Sequence, residues 1–298
     1  MSNGSCVRQA WLVLGSLSIQ LENAAGGWFC SSLDLGYPEV REVIQNRPDT
    51  DGAVDRTQFM GARVVSAEIH AVAGAGARID DVADNFAPFM VPSARPVLHY
   101  ILDRAGTAER TLTLRAMGYT WAVVGASERQ IMLQWKAADP VVRDPTVQTV
   151  TCYAGTAAGN GRAYPLAFPR IYPTSGGSPS TAVISSAGDL PVRPLVYVYG
   201  PVTGPVVTFT PTTGPVAKVA FVASYRIDQG HYVLVDTVAK TALLDGAAGQ
   251  SALAWLDWYN TAWPVLPRQP DTTGMSMTGS STSGSTQAQA SWQDGYLS

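Results

Sequence analysis

Along this chain, apolar and polar positions alternate in short runs far more often than they repeat at helical spacing. Residues 8–20 alternate loosely and predict a first strand; Gly26-Gly27 makes a turn, and Trp28, Phe29 and Cys30 start a second run. Residues 62–73 predict a strand with Val64, Ser66, Glu68 and His70 on one face and Val65, Ala67, Ile69 and Ala71 on the other. Strands are also predicted at 99–102, 110–117 (Leu112 and Leu114 on one face), 119–124 and 129–135, the last with Ile131, Leu133 and Trp135 inward. Only Ile79, Val82, Phe86 and Phe89 fall at helical spacing. Asp80 and Asp81 suit the positive end of that helix, and Pro88 and Pro92 close it, so one helix is predicted over 79–90. Between the second run and the strand at 62, residues 33–59 are rich in Gly, Pro, Asp and Arg and show no sustained period. They predict a long structured loop, the kind of segment that carries function.

The second half is organised around residues 188–245. Apolar runs at 195–199, 206–209, 216–225, 232–235 and 241–244 are separated by Gly-Pro, Thr-Gly-Pro, Asp-Gln-Gly and Asp-Thr. Strands broken by turn residues every ~8–12 positions predict an antiparallel sandwich. Gly200-Pro201 and Gly204-Pro205 are expected to stop a strand, because proline removes a ladder donor. Residues 145–153 read as another short strand, and residues 155–180 as a connector. Tyr164, Phe168, Ile171 and Tyr172 within it predict packing along the second domain. Residues 271–285 look disordered by composition, whereas 286–293 alternate as a final strand. The fold class is therefore mainly β, with two sandwich domains. The expected division is 1–150, a connector at 151–180, and 181–298.

At 298 residues the chain suits two domains. Only 14% of it is charged against 46% hydrophobic, which argues that partners cover part of its surface. A net charge of −3 gives no basic field for nucleic acid, and no apolar run approaches the ~20 residues that a membrane span needs. Trp11 and the lack of a Lys/Arg-rich start favour an N-terminal strand over a signal peptide. Cys6, Cys30 and Cys152 have no metal spacing and predict three reduced thiols, at least one buried, in a protein folded in a reducing cytoplasm.

Motifs for catalysis are missing. His70, His99 and His231 lie far apart in sequence and are expected as hydrogen-bonded structural groups; no P-loop, HExxH, GxSxG or CxxC occurs. The GAGA run at 74–77 lacks the spacing of a phosphate loop and reads as a tight turn. The run DTDGAVD at 49–55 lacks the distal Glu of a calcium loop. Asx turns and ion pairs with Arg41, Arg47, Arg56 and Arg63 explain those acidic residues better. Arg and Asp at such density suit subunit contacts. Trp255, Trp258 and Tyr259, at i, i+3 and i+4, predict core packing, with a sugar-stacking platform as the alternative. No catalytic residue, metal or cofactor is expected.

Several stretches, taken in order, resemble a known family. GDLPVRPLVYVYGPVTGPVV (188–207) follows the pattern G-x-x-P-x-x-P-x-I-x-I-x-G through Gly188, Pro191, Pro194, Val196, Val198 and Gly200. GHYVLVDTVAKTALLDG (230–246) follows G-x-x-L-x-I-D-x-x-x-K-x-V-x-x-[ND]-G through Gly230, Val233, Val235, Asp236, Lys240, Asp245 and Gly246. With PLAFPRIYP (165–173), WKAADP (135–140) and LPRQPDTTGMSMTG (266–279), the chain resembles the distal tail proteins of long-tailed phages. Its 51–65 stretch is similar to minor tail proteins of phages of actinobacteria. Leu266–Asp271 replaces the segment that the family often carries before its last strands.

The resemblance implies a tail-tube-like first domain flanked by a helix and a galectin-like second sandwich. It also implies a structural virion component at the tail tip, assembled in the host cytoplasm. Six copies would form a ring between the tail tube and the tail-tip hub, below the tape measure protein and beside other minor tail proteins. Arg41, Arg47, Asp51, Asp55 and Arg56 are then expected in the subunit interface. A carbohydrate-binding sandwich module using Trp255, Trp258 and Tyr259 is the alternative. A tail-tube subunit is the nearest structural rival, and the second sandwich argues against it.

Overall fold

A computed structural model describes residues 7–41, 44–46, 51, 53–55, 59–72, 79–102, 108–125, 128–154, 181–247, 249–283 and 285–297. The chain divides into two compact units, one made of residues Met1–Pro145 with Tyr296–Ser298, the other of Thr146–Gly295.

In the first unit the strands are β1 (Val7–Leu14), β2 (Leu17–Gln20), β3 (Trp28–Asp34), β4 (Val40–Arg41), β5 (Ile44–Asn46), β6 (Ala53–Asp55), β7 (Phe59–Met60) and β8 (Arg63–Val72). Helix α1 (Ile79–Phe86) and a tighter turn, Ala87–Met90, come next. They are followed by β9 (Val97–Leu102), β10 (Arg110–Thr113), β11 (Arg115–Gly125), β12 (Glu128–Ala137) and β13 (Val142–Arg143). The strand expected over 8–20 is a hairpin, because Gly15 at φ +60° reverses the chain between β1 and β2. The helix expected over 79–90 loses its α geometry after Phe86, with Pro88 inside the tighter turn.

Two sheets build this unit, ordered β2-β1-β9-β10-β13-β24 and β11-β12-β8-β3; β24 (Gly295–Tyr296) is the last strand of the chain. β8 and β12 pair without interruption from Arg63↔Ala137 to Val72↔Glu128. Strict alternation then aims Val65, Ala67 and Ile69 with Ile131, Leu133 and Trp135 into the core, opposite Leu12, Leu98, Tyr100 and Leu112. Phe86 of α1 meets Trp28 edge-on at 5.9 Å and helps close the core. Arg63 is buried and its guanidinium donates to the Leu297 carbonyl, while Arg110 lies 3.4 Å over the Tyr296 ring. The last residues are thereby fastened to the first unit.

The second unit is a sandwich of two antiparallel sheets. Its strands are β14 (Gln148–Tyr153), β15 (Thr181–Ser185), β16 (Leu195–Tyr199), β17 (Val202–Pro211), β18 (Ala217–Ala220), β19 (Arg226–Ile227), β20 (Tyr232–Asp236), β21 (Thr241–Leu244), β22 (Thr272–Ser280) and β23 (Gln287–Trp292). One sheet runs β14-β23-β16-β20-β21. The other runs β15-β22-β17-β18, with β19 beside β17. Val196, Val198, Val233, Val235, Ala288 and Ala290 meet Val207, Phe209, Val219, Met275 and Met277 between them.

Two expectations fail here for physical reasons. The Thr/Ser/Gly/Met stretch is ordered as β22, which pairs with both β15 and β17; Met275 and Met277 alternate inward and supply the burial that the composition concealed. Gly204-Pro205 does not stop its strand. The ladder between β17 and β22 shifts register between Thr203 and Val206, so a bulge absorbs the proline, with Gly204 at φ +58°. The connector at 155–180, with Tyr164, Phe168, Ile171 and Tyr172, lies outside the described residues, as do Cys6 and the GAGA turn. Burial pushes the thiol of Cys152 up to about 11, which keeps it protonated and unreactive.

The stretches that carry the family resemblance are structural. A Cβ on Gly188 would meet the Gly295 carbonyl oxygen at 2.3 Å, and one on Gly200 would meet the Asp228 carbonyl oxygen at 2.2 Å. Asp236 Oδ1 accepts from the amides of Val238 and Ala239, both at 2.8 Å, and turns the chain between β20 and β21. Asp245, at φ 52°, accepts from the Tyr232 amide at 3.0 Å through Oδ1 and lies 2.7 Å from His231 through Oδ2.

A buried polar knot ends this unit. Asp294 Oδ1 accepts from Ser186 Oγ at 2.8 Å and from Trp292 Nε1 at 3.1 Å, and Ser186 Oγ accepts from the Gly188 amide at 3.2 Å. Asp294→Ala leaves two buried donors without a partner and should cost about 1–3 kcal/mol. Asp294→Asn keeps an acceptor there and should cost less. Urea unfolding of the three proteins checks the order; equal midpoints for the wild type and Asp294→Ala would remove the knot from the account.

Candidate assembly surfaces

β11 is an edge strand. It pairs with β12 on one side, and among the described residues no strand pairs with the other. Tyr119 faces Leu133 and Trp121 faces Ile131 across the ladder, which puts both aromatic side chains on the core side of the sheet. Leu133 and Ile131 are fully buried, yet Tyr119, Trp121 and Val123 are 51%, 49% and 71% exposed. The core reaches β11 at Ala116 and leaves an apolar shelf along the rest of the strand. Met117 sits at a bulge in the same strand and is 56% exposed. From Arg115 to Gly125 the only charge is Arg115 itself, so the edge carries none of the lysines that keep such strands apart.

Within the segment expected as a loop, 33–59, the described residues form an arm of two short antiparallel ladders. β4 pairs with β7 (Val40↔Met60, Arg41↔Phe59) and β5 with β6 further out (Ile44↔Asp55, Asn46↔Ala53). Among the described residues each ladder has two strands and joins no larger sheet. Tyr37, Val40, Phe59 and Met60 at its base are exposed. A lone two-stranded ribbon is marginal in water, and this one presents its apolar residues to solvent. Of the charged residues expected at an interface, Arg41 is exposed in β4, Asp51 is exposed, and Asp55 lies in β6. Arg47, Asp49 and Arg56 lie outside the described residues.

The opposite face of the β8–β12 pair is polar. His70 Nδ1 lies 2.6 Å from Glu128 Oε1 and its Nε2 3.1 Å from Glu68 Oε1; Gln130 donates to the same Glu68 oxygen, and Phe29 stacks on the imidazole at 5.1 Å. Hydrogen bonding to Glu128 and then to Glu68 raises the His70 pKa above 6.5, and the bonds from Gln130 and His70 lower that of Glu68. His99 (2.5 Å from Glu109) and His231 are likewise tied to carboxylates.

In the second unit, Trp255, Trp258 and Tyr259 are 48%, 56% and 96% exposed, contrary to the expectation of core packing. The helical spacing that suggested a buried face is not realised. Only Leu253–Trp255 coil into a short turn, and Leu256 is the residue that points inward.

No family model and no curated protein matches the sequence. Among solved structures, the crystal structure of SPP1 Dit superposes with a TM-score of 0.63 at 12% identity, covering 96% of this chain and 98% of that one. This chain has the fold of SPP1 Dit. That protein is described as a paradigm of the hub adsorption apparatus in phages that infect Gram-positive bacteria. Two structures of the phage P2 baseplate in its activated conformation, with calcium and with strontium, match at 10% and 11% identity. Each covers 92% of this chain and 99% of its own, with a TM-score of 0.46.

The histidine cluster gives a pH signature. A raised His70 pKa stabilises the fold below the unfolded value near 6.5, and that contribution is lost as pH rises through the folded pKa. The lowered Glu68 pKa contributes above about 4.5 and is lost as pH falls through its folded value. The cluster therefore contributes most between pH 4.5 and 6.5. An NMR titration should place His70 above 6.5, and Glu128→Gln should lower it; an unchanged midpoint in that variant would contradict the assignment.

Proposed function

We propose that the chain is a structural component of a phage tail tip, a distal tail protein that closes into a ring, with six copies as the working number. The observation that carries this reading is the shared fold with SPP1 Dit over nearly the whole of both chains. Two features of the first unit support it independently. A ring of identical subunits needs one heterologous surface pair per subunit. β11 offers an uncharged edge with an apolar shelf, and the arm offers an apolar base with Arg41 and Asp51 beyond it. Either would be covered by a neighbour adding a strand or packing across it. The ring would sit between the tail tube and the tail-tip hub, below the tape measure protein and next to other minor tail proteins. It needs no enzymatic activity and no cofactor.

The test is the solution mass of the purified protein together with electron micrographs of the same sample. Closed rings, single or stacked in pairs, are expected. Trp121→Glu and Val123→Lys place charge on half- to mostly exposed positions, so the subunit should fold while the ring dissociates. Arg56→Glu should weaken it as well. A protein that stays monomeric at every concentration counts against the ring. Rings that survive Trp121→Glu exclude β11 from the contact.

A further inference from the structure

The turn between β21 and β22 carries a surface that the ring does not require. Phe221 is buried and stacks on Tyr225 at 5.2 Å, and Tyr225 stacks on Trp255 at 5.6 Å with an interplanar angle of 26°. Trp255 is nevertheless 48% exposed, so its indole is braced on one face and open on the other. Trp258, 56% exposed, is braced by Trp263 in an edge-on contact at 6.3 Å.

The backbone between the two indoles is fixed by Asp257. Its Oδ1 accepts from the amides of Tyr259 at 3.2 Å and Asn260 at 3.3 Å, and its Oδ2 accepts from Asn260 Nδ2 at 2.7 Å. Thr261 Oγ1 donates to the Ala220 carbonyl at 3.1 Å, and Lys218 and Ala262 exchange backbone hydrogen bonds, which anchor the far side of the turn to β18. Asp257 is the one charge between Leu253 and Trp263, and its carboxylate is engaged with these three donors.

We propose that Trp255, Trp258 and Tyr259 form a binding platform for a neutral pyranose saccharide. A pyranose ring presents a face of C–H bonds made electropositive by the adjoining oxygens. The π face of an indole or phenol carries the complementary negative charge. Such stacking needs a ring whose orientation is set in advance and whose outer face is free, because ordering it on binding would cost affinity. The braced indoles meet that requirement; Tyr259, 96% exposed, would add its ring only once a saccharide is seated. With the only carboxylate between Leu253 and Trp263 held by two backbone amides and the Asn260 side chain, this stretch favours an uncharged polyol over an anionic or cationic ligand.

The experiment exposes the full chain to an array of neutral oligosaccharides, then titrates cellohexaose, N-acetylchitohexaose and the strongest array binder while following tryptophan fluorescence. Binding is expected, with at least a tenfold loss in Trp258→Ala, a larger loss in Trp255→Ala/Trp258→Ala, and no loss in Trp121→Glu. Retention in Trp121→Glu separates this site from the ring, so failure of either reading leaves the other standing. The proposal is overturned if no neutral saccharide binds. Equal binding by the double variant and the wild type also overturns it, and would move the site elsewhere. So does a double variant that changes only the mass of the assembly, because the turn would then be a protein contact.

Discussion

A strand paired on one side leaves a row of amide and carbonyl groups facing water, and β11 leaves such a row with apolar side chains beside it. The rest of the first unit explains why. β12 and β8 are bound along their full length and fill the core with Ile131, Leu133, Trp135, Val65, Ala67 and Ile69. The opposing sheet contributes Leu12, Leu98, Tyr100 and Leu112, and of β11 only Ala116 packs against that core. Tyr119 and Trp121 are aimed by the pleat toward a core that does not extend beneath them. Such an edge is an aggregation hazard in a free monomer and a ready contact in an assembly. The low charge of the chain is consistent with the second outcome.

The sequence made some of this plain and hid the rest, for identifiable reasons. Strands with one buried face were legible, because burial imposes the period of two: residues 63–72 and 129–135 read directly as they fold. The arm was not, because at its base, where Val40, Phe59 and Met60 are exposed, burial within the subunit imposes no period. β11 was legible as a strand but not as an edge, since an edge differs from a central strand only in its neighbours. The uncharged run from Ala116 to Gly125 was the signal available. β22 was concealed because Thr, Ser and Gly fill its outward positions, leaving Met275 and Met277 as the trace of an inward face. The family resemblance rested on turn residues, and each has a structural task here: Gly188, Gly200, Asp236 and Asp245 sit where backbone approaches backbone or where a carboxylate accepts amides.

Trp255, Trp258 and Tyr259 show how far spacing can mislead. Positions i, i+3 and i+4 share a face only if the backbone is helical, and here Asp257 takes the amides of Tyr259 and Asn260 and forms a turn instead. The same carboxylate that defeats the helical reading fixes the backbone between the two indoles.

The two kinds of exposed aromatic surface in this chain also differ in what they can bind. The shelf of β11 is continuous with a core sheet and lies along free backbone groups, so a second strand with its own apolar side chains satisfies both the hydrogen bonds and the buried area. The platform at 253–263 is bridged to β18 and Phe221 through Ala262 and Leu256, and Trp255 is stacked on Tyr225 while Trp258 meets Trp263 edge-on. A strand laid on that platform would gain contact area but no backbone pairing, whereas a sugar ring gains its main contact from one open aromatic face. That difference in geometry is why we propose assembly at the first surface and ligand recognition at the second.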